Sequence, residues 1–216
     1  MTGIPHFSPL EARVLGVLIE KEKTVPDSYP LSLNQLTLGC NQKTAREPVL
    51  NLSEHEVQLA LDTLRDHSLI IESSGGRVMR YAHNSRRVFK LPEQSVALLA
   101  VLMLRGPQTP GELRINSERL YHFGDLSTVE VFLDELAEAD APWVVKLPKL
   151  PGAREHRWAH CLSGPVQVDT PEPAPLAAPT AHPDDIAQLQ DKVLKLQEEV
   201  AALREMVEAL QRKLPD

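Results

Sequence analysis

One device recurs along the first two thirds of this chain and limits what it can fold into. A Ser or Thr is followed three positions later by Glu or Gln at Ser8-Pro9-Leu10-Glu11, Ser32-Leu33-Asn34-Gln35, Ser53-Glu54-His55-Glu56, Thr109-Pro110-Gly111-Glu112 and Ser127-Thr128-Val129-Glu130. In such a box the hydroxyl accepts an orphan amide of the first helical turn, and the Glu or Gln reaches back to the cap amide. Proline at the first helical position, as in the first and fourth boxes, fits the same signal. Each box precedes apolar residues at helical spacing, so each reads as a helix start.

The first helix, roughly residues 9–21, turns Leu10, Val14, Val17 and Leu18 inward. A short second helix, about 33–40, buries Leu33, Leu36 and Cys40, and a third, about 54–67, buries Val57, Ala60, Leu61 and Leu64. Leu69-Ile70-Ile71-Glu72 and Val78-Met79-Arg80-Tyr81 then flank Ser73-Ser74-Gly75-Gly76, which predicts a hairpin. Three helices and a hairpin is the order of a winged helix, a variant of helix-turn-helix. The order repeats. An apolar helix over about 92–104 carries Val96, Leu99, Ala100 and Met103, a short one carries Leu113, and a third carries Val131, Leu133 and Leu136. Residues 143–147 and 157–162 supply a second hairpin. The expected fold is mainly α with small β-hairpins: two tandem winged-helix domains, 1–91 and 92–164, followed by a long C-terminal coiled-coil helix.

Six of the chain's 18 prolines fall within residues 165–183. Proline removes amide donors and stiffens the backbone towards an extended form, so this stretch reads as a linker. Over residues 184–214 a heptad pattern follows. Ile186, Val193, Val200 and Val207 stand seven apart, and Leu189, Leu196, Leu203 and Leu210 follow each by three. β-Branched residues at a with Leu at d favour a parallel two-stranded coil, and Glu199 at g can meet Arg204 at e of a partner. Self-association as a parallel dimer is the expected role. Docking of this helix on its own domains is the alternative, for which an a/d stripe is narrow.

Residues 26–34 (Pro-Asp-Ser-Tyr-Pro-Leu-Ser-Leu-Asn) lead into residues 40–49 (Cys-Asn-Gln-Lys-Thr-Ala-Arg-Glu-Pro-Val). This paired signature resembles that of the YceH-like family of uncharacterised bacterial proteins, and the resemblance covers about residues 6–163. It implies two winged-helix-like domains in tandem. It implies no activity, ligand or catalytic residue.

The formal net charge of -7 hides a gradient: +1 over residues 1–91, -3 over 92–164 and -5 over 165–216. Contact with phosphates, if any, belongs to the N-terminal part. The third helix of a DNA-reading helix-turn-helix should show a neutral or basic face. Here Glu54, Glu56, Asp62 and Asp66 face only Arg65, and Glu130, Asp134, Glu135, Glu138 and Asp140 face no basic residue. Acids beside phosphates forfeit counterion release. The hairpins differ. Arg77, Arg80, Arg86, Arg87 and Lys90 are uninterrupted by any acid, and Lys146, Lys149, Arg154 and Arg157 surround the second hairpin with Glu155 alone. Such wings can grip DNA backbone or a minor groove, or simply keep exposed strands soluble. The long loop 41–52 offers Lys43 and Arg46 as further phosphate contacts, or Arg46 with Glu47 as a network holding the loop to its domain.

The expected function is a dimeric winged-helix DNA-binding protein, a transcriptional regulator touching DNA through Lys43, Arg46, Arg77, Arg80, Arg86 and Arg87. The alternative is a scaffold that uses winged-helix surfaces, a use to which the acidic helices are better suited, to bind an unidentified protein. No catalytic, metal or cofactor site is expected: there is no HExxH, phosphate loop or dinucleotide glycine motif, and Ser53 and Ser127 are explained as caps. His156, His160 and Cys161 are too split across a strand to share a metal. Cys40 and Cys161 lack a CxxC partner and read as reduced, buried thiols. With neither a leader-like start nor an apolar run of membrane length, a cytoplasmic location without membrane contact is expected.

Overall fold

Four of the five boxes close as their residues dictate. A computed structural model describes residues 5–74, 78–150 and 152–164, all within one compact unit. Ser8 Oγ accepts from Glu11 N while Glu11 returns a bond to Ser8 N, opening α1 (Pro9–Thr24). The same reciprocal pair opens α2 (Leu33–Cys40) at Ser32 and α3 (Glu54–Asp66) at Ser53. The fifth box does not form. Helix α7 (Leu126–Glu138) is capped two residues earlier, where Asp125 accepts from Thr128 N at 2.7 Å. A carboxylate there caps the amide and adds a negative charge at the positive end of the helix, which a hydroxyl cannot match. On α7 Val129, Leu133 and Leu136 are buried at helical spacing, while Val131, expected inside, stands two residues from both Val129 and Leu133 on the opposite side and is 54% exposed.

A 3-10 turn at Pro26–Ser28 leads to β1 (Leu31–Ser32), a strand too short for alternation to reveal. With β2 (Ile70–Ser73) and β3 (Arg80–His83) it makes an antiparallel sheet of order β1-β3-β2, in register Leu31↔Tyr81 and Ile70↔His83. Helix α4 (Ser85–Phe89) follows at once. The second half runs α5 (Glu93–Arg105), α6 (Pro110–Ser117, capped by Thr109), α7, β4 (Val144–Lys146) and β5 (Trp158–His160). Gln108, just ahead of the α6 cap, exchanges both backbone bonds with Trp158 (3.0 and 2.7 Å). That is the place β1 holds ahead of the α2 cap in the first half, so the repeat extends to this third sheet element. The described chain is thus mainly helical, with two small antiparallel sheets.

The halves meet through α1 and α5. Burial on α1 is unbroken from Ala12 to Ile19, and on α5 from Ser95 to Leu104. A helix buried all round has to be covered on every side, and these two cover each other on one of them within one continuous core. Gly16 makes the approach close: a Cβ there would lie 3.1 Å from Leu104 Cγ and 3.3 Å from Met103 Cβ. The 165–183 linker and the 184–214 heptads, from Ile186 to Leu210, lie outside the described residues.

Candidate functional site

The loop after α2 is held by buried charge. Arg46 is 4% exposed. Its Nη1 and Nη2 fork onto Glu20 of α1 at 3.1 and 2.6 Å, Nη2 also donates to Gln42, and Nε donates to Gly39 O at 3.0 Å. Burial alone would push the Glu20 carboxyl up, but the bond and charge of Arg46, helped by Lys21, hold it below its usual range. Arg13 of α1, buried beside this pair, donates to Cys40 O and to Pro48 O. Asn41 closes the loop by donating to Leu52 O and accepting from Leu52 N. Glu47 N donates to Leu104 O, which ties the loop to α5. Burial pushes the nearby Cys40 thiol up to about 12, so it stays an unreactive apolar residue.

Arg46 is therefore not a surface contact. Its donors are consumed inside the fold, and of the two cations proposed in this loop only Lys43 is exposed. The other half of the paired signature serves the sheet. Tyr29 Oη accepts from His83 N at 2.7 Å, and Pro30 O accepts from Arg80 Nη1 at 2.8 Å.

The basic run after the hairpin divides between two elements. Arg77 lies outside the described residues. Arg80 stands exposed on β3, while Arg86 and Arg87 stand exposed on α4, and Lys90, also exposed, ends that helix. No described carboxylate lies within 4.0 Å of Arg80, Arg86, Arg87 or Lys90. By contrast Arg65, the one cation of α3, is spent on Asp62 and Glu72 at 3.4 and 3.1 Å.

Between α4 and the end of α1 lies an open depression of about 390 Å³ lined by Glu22, His83, Ser85, Arg86, Arg87 and Leu91 among others. The His83 side chain is only 4% exposed. Its Nδ1 accepts from Ser85 N, which leaves the proton on Nε2 in the neutral ring. Nε2 stands 3.3 Å from Glu22 Oε2 but out of line for a hydrogen bond. The His83 imidazole, outweighing burial, holds the Glu22 carboxyl below its usual range. Ser85 Oγ is fully buried and has no partner. Residue spacing signalled none of this. His83 and Ser85 meet Glu22 only because β3 is laid beside α1, and the Asn84-Ser85 start of α4 lacks a side-chain cap.

A second depression, of about 410 Å³, lies between α7 and the β4–β5 sheet. Glu130, Asp134 and Glu155 line it with Lys146, whose ammonium sits 5.4 Å from the centre of the Trp158 ring. Its charges are of both signs. Among the described residues no cluster of three or more His, Cys, Asp or Glu side chains could hold a metal. No described helix is long and apolar enough to cross a membrane.

Comparison with known proteins agrees with the signature. Residues 7–153 match the family described as "Protein of unknown function, DUF480". A UPF0502 protein of Burkholderia multivorans is 60% identical over 166 residues, covering 77% of this chain and 71% of the relative. Another, from Cupriavidus pinatubonensis, is 56% identical over 189 residues, covering 87% and 81%. With this much of the chain matched, and with the signature residues accounted for as loop and sheet anchors, the protein belongs to the DUF480 family of UPF0502 proteins.

Proposed function

We propose that this chain is a tandem winged-helix protein that dimerises through its C-terminal heptads and binds DNA through its first half. The order α1-β1-α2-α3-β2-β3, with its counterpart in the second half, supports the winged-helix reading. One observation carries the DNA reading: Arg80, Arg86, Arg87 and Lys90 stand exposed in a short stretch of β3 and α4 without a described carboxylate partner. Phosphate contacts from such a stretch supply affinity and register, while sequence is read elsewhere or by DNA shape. The acidic α3 is not the reading element.

Gel shifts across a salt series test this. The full chain is expected to bind duplex DNA at low salt and to lose affinity steeply as salt rises. Arg80→Ala, Arg86→Ala and Arg87→Ala together should lower the log–log salt slope by about 0.9 for each phosphate no longer neutralised. No shift with any duplex at low salt would end the reading. The oligomeric part is checked by light scattering: the full chain should have the mass of a dimer and residues 1–164 that of a monomer. A dimer of residues 1–164 would move the interface to the globular part.

A second reading, a scaffold for another protein, rests on a different pattern. Leu38 of α2, Leu59 of α3, Ile115 of α6 and Val131 of α7 are 63, 53, 70 and 54% exposed. Each is the sixth residue of its helix, so the two halves present apolar residues at matching places. Acids surround Leu59 and Val131 on their helices, which suits a basic, partly apolar partner.

A further inference from the structure

We infer that the depression between α4 and the end of α1 is a binding site for a phosphate group. It unites features that are otherwise hard to reconcile with a plain surface dimple. Arg86 and Arg87 flank it without a described carboxylate partner. Buried at its edge, Ser85 Oγ has no partner, and His83 Nε2 meets only Glu22 Oε2, at 3.3 Å and out of line for a hydrogen bond. Buried polar groups are normally paired, and an unpaired one is costly unless something else completes it. An imidazole N–H, a hydroxyl and two guanidinium groups form a donor set that a tetrahedral oxyanion can satisfy at several oxygens at once.

Glu22 is the one acid lining the depression. It opposes an anion, but it faces His83, and two arginines leave the depression net positive. Asn84 takes no part, because its side-chain amide donates to Ser68 O at 3.1 Å. The phosphate can belong to a small phosphorylated molecule, for which the volume is adequate, or to a nucleic-acid backbone. The recognising chemistry is the same, and the inference stands whether or not duplex DNA binds.

The test uses the full chain with isotope-labelled histidines and inorganic phosphate as the probe, at constant ionic strength set with chloride. Phosphate should shift the His83 ring signals saturably, one site per chain. Arg86→Gln with Arg87→Gln should weaken that binding about tenfold or more, the worth of a charge-assisted hydrogen bond. Glu22→Gln, which removes the opposing charge, should tighten it. A His83 signal that does not move, or that moves equally in the double variant, overturns the site. Adding duplex DNA separates the sources. If DNA shifts the same signals and phosphate displaces it, the backbone is the occupant. If phosphate binds and DNA does not, the occupant is a small molecule, and the DNA reading fails while this site remains.

Discussion

Replacing Arg46 by alanine is expected to cost about 3–5 kcal/mol of folding stability, the usual penalty for removing one partner of a buried ion pair. The loss has three sources. Glu20 keeps a largely buried carboxylate with Lys21 as its remaining ion-pair partner, Gly39 O loses its donor, and the loop loses one of its ties to α1, leaving Arg13 to hold Cys40 O and Pro48 O. Lys43→Ala, three residues away on the exposed side of the same loop, should change stability by no more than about 0.5 kcal/mol. Urea unfolding of the two variants gives the comparison. If Arg46→Ala unfolds like the parent but loses nucleic-acid affinity, the residue works at the surface after all. The pair also fixes the response to acid. The Glu20 carboxyl is held below its ordinary value of 4.5, so its contribution is complete above that pH. It declines as pH falls through the lower folded value, because the unfolded chain then binds the proton first. In Glu20→Gln that part of the acid sensitivity should disappear, together with much of the stability.

Cut between Leu91 and Pro92, neither half is expected to fold alone. A fully buried Val or Leu contributes about 1.5–3 kcal/mol, and a whole domain is stable by only about 5–15 kcal/mol. Exposing the shared face of α1 and α5, even in part, removes several such residues from each half, which exceeds that margin. Separately produced, residues 1–91 and 92–164 should show poorly dispersed amide spectra and no cooperative thermal transition. Mixed or co-expressed, they should recover both. Two independent cooperative transitions from the separated halves would mean that the α1–α5 contact is an ordinary domain interface and not a shared core.

The contrast between these two results follows what a sequence can carry. Caps are local: Ser8, Ser32, Ser53 and Thr109 and their partners three residues on are enough to place four helix starts. The fifth went to Asp125 because two competing oxygens lay within three residues and the charged one prevailed. The face of α3 was legible from spacing, and on α7 the same spacing takes Val129, Leu133 and Leu136 inward and leaves Val131 outside. Non-local pairing was not legible. Periodicity shows that α1 and α5 are apolar, yet nothing in it names each as the other's cover. β1 is two residues long, and α4 hides in a stretch whose arginines suggested a wing. Arg46 read either as a phosphate contact or as an anchor of its loop, and spacing could not name the partner that decides between them. Only the return of α1 past the loop shows Glu20 waiting for it. The depression at His83 is assembled the same way, from segments that meet only in the folded chain.

The α1–α5 pairing also dictates an order of events during synthesis. Helix α1 leaves the ribosome well before α5, and its cover is not complete until Arg105 has emerged. Until then the face of α1 around Gly16, which meets Met103 and Leu104, has no final resting place, and the first half can only be provisional. Closing so long a segment costs little more entropy than closing a short one, but it delays the decisive contact. Helix α1 is thus sealed only when α5 arrives, and α5 with its own buried run stays uncovered until α6, α7 and β5 have followed.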